Sequence, residues 1–473
     1  MRNAMDSQVL DKSRLTRRLP LVLIIGWLVV LFIAGGASRA DVPGQLIVRT
    51  GAWGIVLAIV LLRIPLRSNG LGWTGGLLIA AVLAPTSQLI PLPPAIWTGL
   101  PGRELLVEAA NVSGQAQPWR PISISPSTTI NALASLIVPI ATFLLVLTVD
   151  RTDRERLLGF LIVFVFCCAF FALLQAGGMS IQSPFVNYRD GATSGPFANR
   201  NHMATLCAIG CLAVPVWAAR RQRFSNLTAV GVVSGVFFLV FVGLATGSRA
   251  GIPLMVIGIA AGLWLSRAKF VALFRKWTRR SAVFAGIGVI VAAAATLLAF
   301  IFSGRALSIE RAMNWQVMDV RAELIPVTFD LAQKYFPFGT GFGTFDHAFR
   351  IDEPTEMLMV QHYNLAHNDL LQIVLDGGLV GGIILAAAIA AWLFKTRQTF
   401  RAATAETQVL KLVASVAIGL VILSSMVDYP ARTPIFMAWL VVFAVLLETR
   451  APTPVADTIR AATGQYQSGQ NLE

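Results

Sequence analysis

Apolar runs of near-membrane length recur along the whole chain. They fall at 19–36, 51–66, 71–91, 129–149, 157–176, 203–219, 227–245, 251–266, 281–302, 371–394, 409–427 and 434–448. A bilayer core about 30 Å thick needs about 20 apolar residues of helix to cross it. Lipid offers no hydrogen bonds to the backbone, so only helices or closed barrels span it. Runs this long predict an all-α, polytopic membrane protein of about twelve spans, with residues 1–473 forming a single membrane domain. Charge density agrees, because Asp, Glu, Lys and Arg make up 13% of the chain, against about a quarter in soluble domains. The first run ends near Ser38-Arg-Ala40, which looks like a signal-peptide cleavage site. Its length and the eleven runs after it predict an uncleaved anchor instead.

The net charge of +14 is distributed in a telling way. Basic residues cluster between the runs, at Arg14 to Arg18, Arg151 to Arg156, Arg220 to Arg223, Arg275 to Arg280 and Lys395 to Arg397. This is the positive-inside pattern, and it places the N-terminus in the cytoplasm. A nucleic-acid surface would gather the same charges on one element, so no nucleic-acid partner is expected. Cys167, Cys168, Cys207 and Cys211 all sit inside apolar runs, which predicts buried, inert thiols.

Three outer segments are more than connectors. Residues 92–127 are Pro-rich and amphipathic, which suits the interface. Residues 177–202 end in Ser194-Gly-Pro-Phe-Ala-Asn-Arg-Asn-His202. The largest segment, 303–370, is expected to be one large outer loop between the ninth and tenth spans. Connections that long are functional or disordered, and its apolar content argues for order. Within it Val317, Val320, Leu324, Val327 and Leu331 mark one helical face, with Asp319, Glu323, Asp330 and Lys334 opposite and Arg321 near the edge. The polar tail 451–473 is expected to be disordered and cytoplasmic.

Candidate chemistry concentrates on the outer side. His367 and Asn368 open a string that leads directly into a span, and Asp376 lies about two and a half turns further on. An ionisable group at that depth normally faces a polar cavity; the plain alternative for His367 and Asn368 is a helix cap. Arg249, in Thr246-Gly-Ser-Arg-Ala-Gly251, must pair or snorkel, and its planar fork suits phosphate oxygens. Gly247 and Gly251 would let a ligand or a helix approach closely. Pro337-Phe-Gly-Thr-Gly-Phe-Gly-Thr-Phe345 lacks the strand–turn–helix setting of a nucleotide loop. It reads as a tight turn packed on the preceding helix, with an anion nest as the alternative. His347, His362 and His367 match no metal-ligand spacing, so no metal is expected.

Taken in order, these motifs resemble the O-antigen ligase and O-antigen polymerase superfamily of bacterial inner-membrane glycosyltransferases. Gly195-Pro-Phe-Ala-Asn199-Arg200-Asn201 is similar to its Gly-x-Phe-x-Asn-x-Asn, and Ser248-Arg249-Ala-Gly251 to its Ser-Arg-x-Gly. Arg321 ahead of the glycine-rich turn, and His367-Asn-Asp-Leu-Leu-Gln-Ile-Val-Leu-Asp376-Gly-Gly, complete the set. The resemblance covers about 190–390. It departs at Asp376, where the family usually has Glu, and at Ile325, where Trp is common.

The resemblance implies a metal-independent enzyme, without cofactor, at the periplasmic face of the inner membrane. It would transfer or polymerise a glycan from undecaprenyl diphosphate onto a glycan or lipid A–core acceptor, in surface polysaccharide synthesis. His367, Arg321 and Arg249 would be catalytic. Arg200, Asn199, Asn201, Asn368 and Asp376 would contact substrate. Polymerase is slightly favoured over ligase. The rival is a multi-span secondary transporter or lipid-glycan flippase, which would show repeated halves and midplane polar groups; neither is visible in the sequence.

Overall fold

A computed structural model describes residues 2–67, 71–150, 153–188, 192–278, 280, 286–288, 291, 320–358, 363–401 and 405–449. Among these the regular structure is helical, with one isolated bridge between Leu92 and Arg120. The helices are α1 (Arg2–Ala34), α2 (Pro43–Leu61), α3 (Gly72–Ser87), α4 (Pro94–Trp97), α5 (Glu104–Val112), α6 (Pro126–Ser135), α7 (Ile137–Thr148) and α8 (Glu155–Ala176). They continue as α9 (Arg200–Ala219), α10 (Asn226–Ala245), α11 (Gly251–Phe274), α12 (Val320–Lys334), α13 (Phe345–Ile351), α14 (Asp369–Arg401), α15 (Ala405–Ser425) and α16 (Pro434–Glu448).

Eight helical stretches in the described residues are long and apolar enough to cross a membrane, and α3, α16 and residues 18–34 of α1 are shorter apolar helices. Eleven of the expected runs are therefore helical. The run expected at 281–302 lies almost wholly outside the described residues, as does the tail 451–473. The second span starts earlier than hydropathy suggested, at Pro43, because proline at the first helical position carries no N–H to orphan. The run at 129–149 is divided between α6 and α7 at Leu136.

Helix α9 is the hub. Residues 201–216 are all buried, and α8, α10, α11 and α15 pack around them. Its sequence explains this position: no charge occurs between Arg200 and Arg220, and Ala, Gly, Cys and Thr keep its surface narrow. Lipid tails are as apolar as leucine, so helices associate through close packing of small residues rather than by escaping water. Helix α11 supplies the matching stripe, Gly251, Gly258 and Gly262. A β-carbon on Gly258 would lie 2.3 Å from the Ala208 carbonyl oxygen, and one on Gly251 2.4 Å from Ala204 Cβ. Gly251 thus serves helix contact, one of the two roles its sequence context allows. Cys168, Cys207 and Cys211 are buried as expected, whereas Cys167 is exposed on the outer face of α8.

The bundle has two different ends. Arg67 pairs with Asp150 and Arg220 with Glu155 at the end carrying the basic clusters. Glu448 accepts from Thr74 N at 2.6 Å and Thr74 Oγ1 at 2.8 Å at this same end. The opposite end gathers the α1–α2 connector, the start of α9, the α10–α11 turn, the start of α14 and the α15–α16 connector. Ala198 N bonds Gly36 O at 3.1 Å and Ile435 N bonds Gly35 O at 3.2 Å there.

Gly258→Leu is expected to push α11 off α9 and cost about 1–3 kcal/mol, the usual penalty of overpacking. A fall in the melting temperature of detergent-purified protein measures it, and an unchanged value would refute the close contact.

Candidate active site

The start of α9 is set by its own sequence. Asn199 is the N-cap, its Oδ1 accepting from Asn201 N at 2.9 Å, as short polar side chains do at a helix start. Gly195 precedes it at φ +60°, and the Gln175 side chain clamps the turn: its Oε1 accepts from Gly195 N at 2.8 Å and Ser194 N at 3.0 Å. The Asn199 amide then points at a buried carboxylate, Asp428, donating at 3.0 Å to each oxygen. Asn201 Nδ2 donates to the same group, as does Tyr429 N at 3.0 Å.

His367 faces this carboxylate from another element. Its Nδ1 lies 3.4 Å from Asp428 Oδ1, and its ring stands 4.9 Å from that of Tyr429. The side chain is 20% exposed while Nδ1 is buried, so the exposed edge is the far side of the ring. His367 also has φ +51°, a left-handed conformation that a non-glycine residue rarely adopts. His202, buried on the first turn of α9, brings Nε2 to 3.9 Å from Asp428 Oδ1.

The two residues that could both have been a cap have separate roles. Asn368 caps α14, its Oδ1 accepting from Leu371 N at 3.0 Å. Among the described residues His367 makes no cap bond, and it turns to Asp428. The next residues of the string hold the surroundings. Asp369 accepts from Arg432 Nε at 2.8 Å, Ser425 Oγ at 3.1 Å and Ala431 N at 3.2 Å. Gln372 Oε1 accepts from Ala366 N at 3.0 Å, bracing the chain just before His367.

Asp376 is fully buried. It accepts from Gly343 N at 3.1 Å and lies 3.7 Å from Arg432 Nη2. The glycine-rich turn is packed onto α14 at this point. Gly341 N bonds Asp376 O at 2.9 Å, Thr340 N bonds Leu375 O at 3.0 Å and Leu379 N bonds Pro337 O at 2.8 Å. These partners use the turn's amides internally, so the tight-turn reading holds; its main platform is the following helix rather than the preceding one. Gly378, at φ +56° and ψ −141°, kinks α14 to receive the turn, and a β-carbon there would meet Pro337 O at 2.1 Å.

Arg103 locks the Pro-rich segment over the same turn. Its guanidinium is fully buried, donating to Pro101 O at 2.8 Å, Ile122 O at 2.5 Å and Gly339 O at 2.8 Å. It also lies 5.1 Å from the Tyr335 ring centre. Burial pushes its pKa down to about 10, which leaves it charged at neutral pH.

The predicted cations are less tightly gathered. Arg249 is exposed at the α10–α11 turn, which Ser248 Oγ holds by accepting from Gly251 N at 3.1 Å. Its turn adjoins Ala204, one helical turn from Asn201. Arg200 is half-buried on the first turn of α9. Arg321 lies on α12, where Leu324 and Leu331 are buried and Asp330 and Lys334 exposed as the periodicity required; its side chain falls outside the described residues, as does His362. His347 is exposed on α13. No group of three potential metal ligands occurs among the described residues.

Sequence reasoning missed Asp428, Tyr429, Arg432 and Arg103. A signal existed for the first three: Asp428-Tyr-Pro-Ala-Arg432 is a charged connector between two apolar runs, on the side of the membrane expected for His367.

Residues 234–386 match the family model described as O-antigen ligase. This span includes Arg249, Arg321, the glycine-rich turn, His367 and Asp376, and supports the O-antigen ligase and polymerase superfamily. The protein is a multi-pass helical membrane protein, and this stretch of it is similar to O-antigen ligases. No curated protein matches the chain.

Gly378→Ala should cost about 1–3 kcal/mol, the range for a residue forced into glycine-only backbone. Thermal melting checks it, and full retention of stability would mean that the kink is not needed to seat the turn.

Proposed function

We propose that this protein moves a glycan from undecaprenyl diphosphate to a sugar hydroxyl at the periplasmic face of the bacterial inner membrane. The juxtaposition of His367 Nδ1 with buried Asp428 carries the reading. A carboxylate at one imidazole nitrogen fixes the tautomer and leaves the other nitrogen as a base. The exposed edge of His367 is where an acceptor hydroxyl would meet it. The position of this cluster, at the end opposite the Arg-rich connectors, supports that choice of face.

In the reaction, the acceptor oxygen bonds to the anomeric carbon while the bond from that carbon to the diphosphate oxygen breaks. The diphosphate leaves with the electron pair, His367 Nε2 takes the hydroxyl proton, and direct displacement inverts the anomeric centre. Charge developing on the leaving diphosphate is met by Arg249 and Arg321, with Arg200 as a third cation. No step requires a metal. Asn199 and Asn201 hold Asp428 and so position His367, while Asp376 holds the turn beside it; contact of these residues and Asn368 with sugar is secondary to those roles. We favour a polymerase, whose acceptor is another lipid-linked glycan, over a ligase. Single lipid-linked repeats accumulating in a deletion strain would support this, whereas long lipid-linked polymer would point to a ligase.

His367→Ala is expected to lower transfer by about 100-fold or more, within the range of general-base contributions. Purified protein with a synthetic undecaprenyl-diphosphate glycan provides the assay, and full activity at normal protein level would overturn the role. Asp428→Asn should lower kcat by about tenfold or more with KM little changed, since it disturbs the orientation of the base rather than substrate contact. A rise in KM alone would argue against positioning.

A further inference from the structure

A cavity of about 350 Å³ opens beside the cluster, between α2, α6, the glycine-rich turn and the start of α16. It is lined by Arg39, Arg49, Asn131, Asp346, Asn364 and Arg432, among others. Asn364 and Leu365 lie on the strand of chain that leads to His367, and Arg432 is the partner of Asp369. Arg200 and Arg249 do not line it.

The charges around this cavity differ in how they are balanced. Arg39 is paired with Asp41, Arg432 with Asp369, and Asp346 with Arg350 at 2.9 Å. Gln45, one turn before Arg49 on α2, donates its amide to Ala37 O at 2.7 Å. Arg49 stands apart. Its hydrogen-bond partner is a neutral amide oxygen, Asn131 Oδ1, at 2.8 Å from Nη1. Its Nε is buried without a hydrogen-bond partner among the described residues, and no acidic side chain among them pairs with it. A half-buried guanidinium with a neutral partner, on the wall of a polar cavity, carries a charge that an incoming anion can satisfy.

We propose that this cavity is a second anion subsite, in which Arg49 receives a phosphate or carboxylate group of the acceptor glycan while the donor diphosphate lies elsewhere, toward Arg249. The inference rests on the glycan-transfer reading above, and it assigns a binding role to a residue outside the matched segment 234–386. Asn131 orients the guanidinium, and the pairing of every other charge on the wall leaves Arg49 as the selective element. Two sources present the same chemistry: the diphosphate of a lipid-linked acceptor, or an acidic sugar within its chain.

Binding to purified, full-length protein in detergent separates them, using farnesyl diphosphate, a glucuronate-containing tetrasaccharide and neutral maltotetraose as probes. Arg49→Gln should weaken at least one anionic probe by tenfold or more and leave maltotetraose unchanged; the probe affected identifies the source. Asn131→Asp, which supplies an internal acid to Arg49, should weaken the same probe without removing the side chain. It decides the matter if the glutamine variant folds poorly. Both anionic probes binding Arg49→Gln and Asn131→Asp as they bind the wild type would overturn the subsite. Loss of binding in Arg249→Gln alone would reject the subsite and leave the glycan-transfer reading standing. Arg49-dependent binding together with full transfer by His367→Ala would keep the subsite and reject the assigned base.

Discussion

A buried carboxylate at the polar end of the bundle organises the rest of the site. Taking Asp428 out of water is costly unless its oxygens are met by donors. Asn199 and Asn201 donate from the start of α9 and Tyr429 N from the α15–α16 connector, while His367, on the chain entering α14, brings Nδ1 to 3.4 Å. One side chain is therefore the meeting point of three segments that are far apart in sequence. The His367 ring stands with its buried nitrogen toward this carboxylate and its other edge open. A left-handed backbone at His367 costs free energy in isolation, and the surrounding bonds from Asn368, Asp369 and Gln372 over-determine it.

Packing and polarity divide the work along the bundle axis. In the apolar zone, α9 and α11 meet through Gly251, Gly258 and Gly262, where contact distance alone decides stability. Near the surface, irregular backbone takes over, and each amide needs a partner inside the protein. The glycine-rich turn meets this need by laying its amides on the kinked region of α14, with Gly343 reaching the Asp376 carboxylate. Arg103 closes the arrangement from the other side by satisfying three carbonyls at once, Gly339 among them. A rigid floor results beneath the chain that carries His367. It explains why an acidic residue stands within the first turns of an otherwise apolar helix.

Several residues were legible as important before their jobs were. His367 and Asn368 read as one unit, either cap or chemistry; only the fold shows that one caps and the other faces Asp428. The turn at Pro337–Phe345 read as a tight turn or an anion nest, and its amides proved to be used internally. Asp376 was visible because a carboxylate interrupts an apolar run, yet its partners, Gly343 and Arg432, lie too far along the chain for spacing to suggest them. Asp428 and Arg432 were overlooked because a short charged connector looks like ordinary surface until its neighbours are known. Arg103 was hidden in a Pro-rich stretch that read as interfacial, where an arginine would be expected to face water.

Local order along the chain was enough to settle the helical class, the membrane setting, most of the span positions and the grouping of basic connectors at one end. Each of these follows from the length of an apolar run or the sign of the charges beside it, which neighbouring residues determine among themselves. Which helix lies at the centre, which glycine meets a backbone and which carboxylate faces the imidazole were settled only in three dimensions. Those outcomes depend on donors and acceptors brought together from separate spans. A buried polar group is satisfied by whatever the fold places within about 3 Å of it, and no one-dimensional spacing encodes that partner.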